Sequence, residues 1–313
     1  MKILTFNHQG KSKMGIFIDP SILDIQKAYS LCAESLSPTV IEKVKAEMVF
    51  NDTLSFIQSE DNGLKLAETI IGEFYKKKSR FDDALLDPDS VRLEAPIKNP
   101  NKIICIGLNY IDHCKEQGIE PPQNPIIFSK FNTAIIGSGE DIIHPRITTQ
   151  LDYEGELAVV IGKMGKFIDR ESAKNFVFGY TIMNDVTARD IQFNDGQWIR
   201  AKSFDTFAPI GPWIVTRDEI ENPKNLNIRT YINGQIFQDS NTKNMIFDIP
   251  YLIEFISSAF TLYPGDIIST GTPPGVGIYR EPPYFLHHND EITIEIEKIG
   301  TLTNTVVEES MFA

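Results

Sequence analysis

Hydrophobic and polar positions along the chain follow two rhythms, and the opening segment differs in texture from the remainder. Near the start, two short β-like runs, Lys2 to Phe6 and Met14 to Ile18, precede helical spacing from about Pro38 to Met48 and from Leu64 to Lys78. The segment from Asp87 to Pro100 holds Pro88, Pro96 and Pro100 and reads as a linker, because proline fixes φ and removes a backbone donor. Beyond it, strand signals dominate: Ile103 to Ile106, Ile126 to Ser129, Leu151 to Ile161, Val177 to Met183, Ile210 to Val215, Asn227 to Ile232, Ile267 to Thr270 and Ile292 to Glu297. Asn233-Gly234, set between Tyr231-Ile232 and Gln235-Ile236, is a type I′ hairpin signal. The clearest late helix starts at Asp248 as N-cap and places Tyr251, Leu252, Phe255, Ile256 and Ala259 on one stripe, the spacing of plain core packing. The expected class is α+β, mainly β, with a small α+β N-terminal domain over residues 1–95 and a larger, mostly β domain over residues 96–313.

Composition narrows the partners. The chain has 313 residues, 42% hydrophobic and 23% charged, enough for one large domain and a smaller one. Lys+Arg 30 against Asp+Glu 43 gives a net charge of −13, which disfavours nucleic acid and anionic membrane as partners. The start Met1-Lys2-Ile3-Leu4-Thr5 lacks a long apolar core, and no stretch approaches the ~20 apolar residues of a membrane span. A soluble, cytoplasmic protein is expected. Cys32, Cys105 and Cys114 form no CxxC and read as reduced thiols. Cys114 follows His113 directly, but sequence neighbours on a helix point apart, which argues against a Cys-His nucleophilic pair. The glycines of Gly271-Thr272-Pro273-Pro274-Gly275-Val276-Gly277 lack a strand-GxGxxG-helix setting and read as a rigid turn.

The densest chemistry lies in Asp152-Tyr153-Glu154-Gly155-Glu156, where carboxylates occupy every second position before the apolar run Leu157-Ala158-Val159-Val160-Ile161. On a strand these three acids share a face. Such a row is either the solvated face of that strand or a ligand set for a hard divalent cation, which takes oxygen donors. Asp185, at the polar end of Gly179-Tyr180-Thr181-Ile182-Met183-Asn184, is a third ligand candidate or a cap for the turn and helix that follow.

Three further segments offer matching groups. After the strand Ile103 to Ile106, His113 and Glu116 stand three apart, so on a short helix the carboxylate can orient the imidazole as a general base; an exposed His-Glu pair on a surface helix would look identical. Lys202, in Trp198-Ile199-Arg200-Ala201-Lys202-Ser203-Phe204-Asp205, could stabilise an oxyanion or enolate, or pair with Asp205 at the surface. Ser269-Thr270-Gly271-Thr272 presents hydroxyl and N–H donors at a strand end, where they bind a carboxylate or satisfy their own turn.

Taken together, Gly107-Leu108-Asn109-Tyr110 with His113 and Glu116, Asp152 to Leu157, Gly179-Tyr180 with Asn184-Asp185-Val186-Thr187-Ala188-Arg189-Asp190, Lys202-Ser203-Phe204-Asp205 and Ser269-Thr270-Gly271-Thr272-Pro273 resemble the fumarylacetoacetate hydrolase family, in its order, from about Lys102 to about Gly277. Bacterial acylpyruvase-like and 2-hydroxyhepta-2,4-diene-1,7-dioate isomerase-like members offer the best likeness, and residues 1 to about 95 look like their variable N-terminal domain. The resemblance implies a mixed β-roll catalytic domain, a homodimer, and Mg²⁺, or else Mn²⁺ or Ca²⁺, held by Glu154, Glu156 and Asp185. It also implies a 2-oxo acid or 1,3-dicarbonyl substrate, a lid carrying His113 and Glu116, Lys202 facing the substrate oxygens, and Gln192 and Thr270 holding its carboxylate. Some members carry Arg where Leu108 stands, so one cation near the substrate is missing here.

The activity expected first is hydrolysis of a C–C bond in an acylpyruvate or related β-diketo acid, with water activated by the His113–Glu116 pair and enolate charge stabilised by the ion. The alternatives are isomerisation or tautomerisation of 2-hydroxy-dienoates and decarboxylation of oxaloacetate-like acids on the same site. From another class, the acids could serve a metal- or ligand-binding protein without turnover.

Overall fold

The computed structural model describes residues 1–36 and 49–310. The helical spacing expected from Pro38 to Met48 lies outside them. Strands β1 (Lys2–His8) and β2 (Lys11–Ile18) pair antiparallel around Gln9-Gly10, both at positive φ. β3 (Ser21–Asp24) extends the pairing, and its last residue caps α1 (Ile25–Cys32) by accepting the Lys27 N–H. Asp52 caps α2 (Thr53–Gln58) in the same way, and α3 (Glu60–Lys76) covers the helical spacing read from Leu64 to Lys78 except its last two residues, where Lys77 leaves helical geometry.

The proline-containing segment from Asp87 to Pro100 is more than a linker. After β4 (Leu85–Leu86), which pairs with β3, β5 (Arg92–Glu94) joins β1, and Ala95 and Ile97 are buried. Its prolines flank β5 without entering it, so the ladder donors survive.

β6 (Ile103–Gly107), fully buried, leads to α4 (Ile111–Glu116) and returns as β7 (Ile126–Lys130). β8 (Ile135–Ile136) and β9 (Ile142–His144) are short. β10 (Leu151–Asp152), β11 (Gly155–Ile161), β12 (Val177–Asn184) and β13 (Thr187–Ala188) follow, then α5 (Arg189–Asp195), α6 (Trp198–Lys202) and β14 (Ala208–Thr216). β15 (Asn227–Ile232) and β16 (Gln235–Asn241) form the expected hairpin, with Asn233 and Gly234 at φ 51° and 77°, the signs a type I′ turn requires. α7 (Ile249–Ala259) begins after Asp248, whose carboxylate accepts the Tyr251 N–H. β17 (Ile267–Ser269), β18 (Glu291–Ile296) and β19 (Gly300–Glu308) complete the chain.

Among the described residues the large sheet runs β4-β3-β2-β1-β14-β12-β11-β17-β6-β7, and a second runs β16-β15-β18-β19-β9. The molecule is thus mixed and mostly sheet. β11 and β12 are buried along their whole length, so both faces are covered, whereas β15 and β18 bury alternate residues and turn one face to the core. The two sheets meet where β11, β12 and β14 pack on β15, β18 and β19. Gly155 allows that approach, since a Cβ there would stand 2.5 Å from Thr230 Oγ1. Across the change of texture at residues 95 and 96, β1 pairs with β14, Lys2 opposite Val215 and Ile3 opposite Ile214, so strands from both sides share one sheet.

Candidate active site and metal centre

The carboxylate row does not form one straight strand face. β10 ends at Asp152 and β11 starts at Gly155, and between them Glu154 N–H donates to the Asn184 side chain at 3.0 Å while Glu154 O accepts from Asp185 N at 2.9 Å. This break corrects the expectation that Asp152, Glu154 and Glu156 share a face. Glu154 and Glu156 converge with Asp185, just past the end of β12, so that one carboxylate oxygen of each lies within 4.8 Å of the others, all three buried. Asp152 turns away and accepts from Tyr153 N, Gly277 N, Ile278 N and Arg189 Nε at 2.7–3.1 Å, tying the late loop and Arg189 to the same floor.

Three cations stand against these four carboxylates. Lys202, at the end of α6 and 2% exposed, donates from Nζ to Glu154 Oε2 at 2.8 Å, Asp185 Oδ2 at 2.9 Å and Thr187 Oγ1 at 2.8 Å, so it is no surface partner of Asp205. Lys130, the last residue of β7, donates to Asp185 Oδ1 at 2.5 Å and to Val186 O at 3.1 Å. Arg189 NH2 lies 2.7 Å from Glu154 Oε1 as an ion pair outside hydrogen-bonding geometry. Lys130 and Arg189 escaped the reading of the sequence as site residues. Arg189 lay inside a quoted motif, while a lysine ending a strand carries no signal of its own.

The charges are unevenly matched. Burial works to raise the Glu154 carboxyl, yet Lys202 and Arg189 hold it at about 2. Burial and then Asp185 and Glu154 push Glu156 well above the usual carboxylate range, because its hydrogen bonds come from the neutral donors Ser269 Oγ at 2.5 Å and Gly271 N at 2.9 Å. The Lys202 ammonium is held above its ordinary value: burial opposes it, and Asp185 and Glu154 outweigh burial. For Lys130 burial prevails over Asp185 and lowers it. An oxygen-only, buried triad with one member lacking a cation fits a hard divalent ion. Glu154, Glu156 and Asp185 are the residues that could hold it.

Above this floor stands a roof made by α4 and the loop before β18. His113, 5% exposed and so no surface ion pair, places Nδ1 2.8 Å from Glu116 Oε2. Glu116 Oε1 accepts from Gly275 N at 2.7 Å. Gln117 Nε2 lies 2.7 Å from His113 Nε2, and the Tyr279 hydroxyl donates to Gln117 Oε1 at 3.1 Å. Buried Asn109 anchors the start of the roof by donating to Thr270 O and Phe247 O and accepting from Phe247 N. Gly271 makes that approach feasible, since at φ 100° a Cβ would stand 2.8 Å from Asn109 Cβ.

Between floor and roof lies a cleft of about 100 Å³ lined by Glu154, Glu156, Arg189, Lys202, His113 and Gln117, with Leu108, Phe193 and Trp198 at its sides. Gln192 lines it too, its Oε1 accepting from Arg189 NH1 at 3.1 Å. Thr270 does not reach the cleft: its hydroxyl donates to Leu157 O at 2.8 Å, and Thr272 is the threonine that lines it. Gln117 and Tyr279 are cleft residues the sequence left unassigned.

The geometry has counterparts among known proteins. Residues 102–307 match the profile of the Fumarylacetoacetate (FAA) hydrolase C-terminal family. The chain is 50% identical over 224 residues, 71% of its length and 72% of the other, to the mitochondrial oxaloacetate tautomerase Fahd2a of Rattus norvegicus. The solved 2-hydroxyhepta-2,4-diene-1,7-dioate isomerase from Mycobacterium marinum is 44% identical with a TM-score of 0.65, covering 74% of this chain and 83% of that one. Maleylpyruvate hydrolase from Sphingobium sp. SYK-6, solved with manganese(II) ion and pyruvate, is 30% identical with a TM-score of 0.75, covering 99% of this chain and 100% of that one.

Proposed function

Since the chain belongs to the fumarylacetoacetate hydrolase family, whose members are enzymes with hydrolase, isomerase or tautomerase activity, we propose that it is a divalent-metal-dependent tautomerase or isomerase of small 2-oxo acids, interconverting the keto and enol forms of an oxaloacetate-type diacid. The observation that carries this reading is that Glu154 and Glu156 of a buried carboxylate triad and a histidine oriented by a carboxylate line one cleft of about 100 Å³. Keto–enol exchange needs a positive centre for the keto oxygen and one proton carrier beside the adjacent carbon, and it consumes no water.

The proposed ion is Mg²⁺, with Mn²⁺ or Ca²⁺ as alternatives, held by Glu154, Glu156 and Asp185 and supplying Lewis acidity toward the substrate oxygen. Lys202 bridges Glu154 and Asp185, and Lys130 holds Asp185 from the other side, so both carboxylates are aimed. Arg189 and Gln192 offer donors for a substrate carboxylate, the service lost at Leu108. His113, with its Nδ1 proton directed at Glu116, takes the carbon-bound proton at Nε2 and returns it.

Hydrolysis of an acylpyruvate is the second reading, favoured by the same His113–Glu116 pair, which would activate water equally well. It ranks second because the relative at 50% identity is an oxaloacetate tautomerase. The test follows enol-oxaloacetate absorbance with Mg²⁺, Mn²⁺, Ca²⁺ or EDTA, beside a panel of acylpyruvates and 2-hydroxy-dienoates. Saturable, EDTA-sensitive loss of enol supports the proposal. Acylpyruvate cleavage without any acceleration of enol loss overturns it in favour of hydrolysis. Metal-raised Tm with no turnover of any substrate returns the protein to the non-catalytic binding class. We also propose a homodimer, measured by light scattering. Its support is edge strand β7 and, directly after it, Phe131, 56% exposed.

A further inference from the structure

Both ring nitrogens of His113 are engaged. Nδ1 faces Glu116 Oε2 at 2.8 Å, and Nε2, the nitrogen a base would use, faces Gln117 Nε2 at 2.7 Å. The direction of each bond follows from its neighbours. Gln117 Oε1 accepts from the Tyr279 hydroxyl at 3.1 Å and its NH₂ faces the ring; an amide NH₂ can only donate, so Nε2 accepts. Glu116, accepting from Gly275 N on its other oxygen, takes the Nδ1 proton. The chain Tyr279, Gln117, His113, Glu116, Gly275 is therefore closed, and the lone pair of the base is covered by a tethered amide. The ring of Tyr279 packs edge-on to the imidazole at 6.1 Å.

We propose that Gln117, tethered by Tyr279, is a positioning residue that sets reaction specificity: it denies the His113 lone pair to water and yields it to a substrate carbon acid that displaces the amide. This rests on the tautomerase reading. In tautomerisation the proton leaves the carbon next to the keto group for Nε2, the C–H pair becomes the enol double bond, the C=O π pair moves onto the keto oxygen, and His113 hands its proton to that oxygen. In hydrolysis a water proton passes to Nε2 and the hydroxide forms a C–O bond at the acyl carbon. The C–C bond then breaks with its electron pair on the pyruvate carbon, which takes the proton back. Only the second sequence requires a water held at Nε2.

The test compares wild type, Gln117→Met and Tyr279→Phe, loaded with Mg²⁺, on enol-oxaloacetate and on an acylpyruvate. Gln117→Met keeps length and removes the donor; the ratio of hydrolysis to tautomerisation should rise at least about 10-fold, and about 3-fold in Tyr279→Phe, the range one hydrogen bond commands. The downfield proton resonance of His113 Nδ1 should persist in both variants, showing that the Glu116 contact is intact. A merely structural role would lower both reactions together, and an unchanged ratio with that resonance retained overturns the proposal. If Gln117→Met does not fold, the Tyr279→Phe ratio decides. If wild type shows no tautomerisation, the functional reading fails on its own, and the cap is then judged by whether the absolute hydrolysis rate rises in the variants.

Discussion

In the floor of the cleft each of the four carboxylates is held by at least two partners, whereas in the roof Glu116 and Gln117 each reach the facing loop through a single hydrogen bond. Asp185 meets Lys130 and Lys202, and Asp152 meets Arg189 and three backbone amides. Glu116, by contrast, reaches the facing loop only through Gly275, and Gln117 only through Tyr279. The floor fixes charge in place, and disturbing it costs folding energy. The roof fixes a proton acceptor, and disturbing it costs rate.

The largest break in this contrast should come from Glu156→Gln. Loss of a ligand carboxylate should lower activity on the order of 10³-fold, about 4 kcal/mol of barrier, and abolish the Mg²⁺-dependent rise in Tm. The metal-free variant should be no less stable than metal-free wild type, because burial and the nearby Asp185 and Glu154 already disfavour the charged form of Glu156. Lys202→Met should come next on the stability side. It leaves Glu154 and Asp185 short of a buried cation and should cost about 3–5 kcal/mol by denaturant unfolding; a loss below 1 kcal/mol would show that the floor is not held by this ion pair network.

For the roof, Glu116→Gln should slow enol loss roughly 10-fold to 10²-fold, the worth of a charged hydrogen bond, while moving stability by no more than about 1 kcal/mol. Equal losses of rate and stability would erase the distinction. The smallest effect is expected for Thr270→Val, which removes the bond to Leu157 O and should cost about 1 kcal/mol of stability with KM unchanged. A raised KM would instead give Thr270 the carboxylate-binding part that the family resemblance implied.

What the sequence disclosed follows the range of its interactions. His113 and Glu116 are separated by three residues and Glu154 and Glu156 by two, so local geometry announces them. Lys130 reaches Asp185 across 55 positions and Tyr279 reaches Gln117 across 162, with no local mark at either end. Asp152 was misplaced because period-2 reasoning assumes an unbroken strand, and the Asn184 side chain takes over the Glu154 N–H where the ladder would have continued. The apolar runs of β11, β12 and β15 were plain, as was the turn at Asn233-Gly234. β5 was hidden among prolines, and its pairing with β1 depends on residues more than 80 positions away.

The pairing of β1 with β14 also sets a schedule. Ile214 and Val215 leave a ribosome more than 200 residues after their partners Ile3 and Lys2. At about 5–20 residues per second, β1 waits on the order of 10 s or more for its neighbour. The hairpin of β1 and β2 can form at once and β5 can cover Thr5 to Asn7 on its outer edge, but the Lys2–Ile3 end of that edge stays open until β14 is made, and an open strand edge is where misassembly begins. Moderate cooling during expression, which slows collisions between nascent chains, should therefore raise the soluble yield of this protein more than that of a version in which β1 is fused directly after β14.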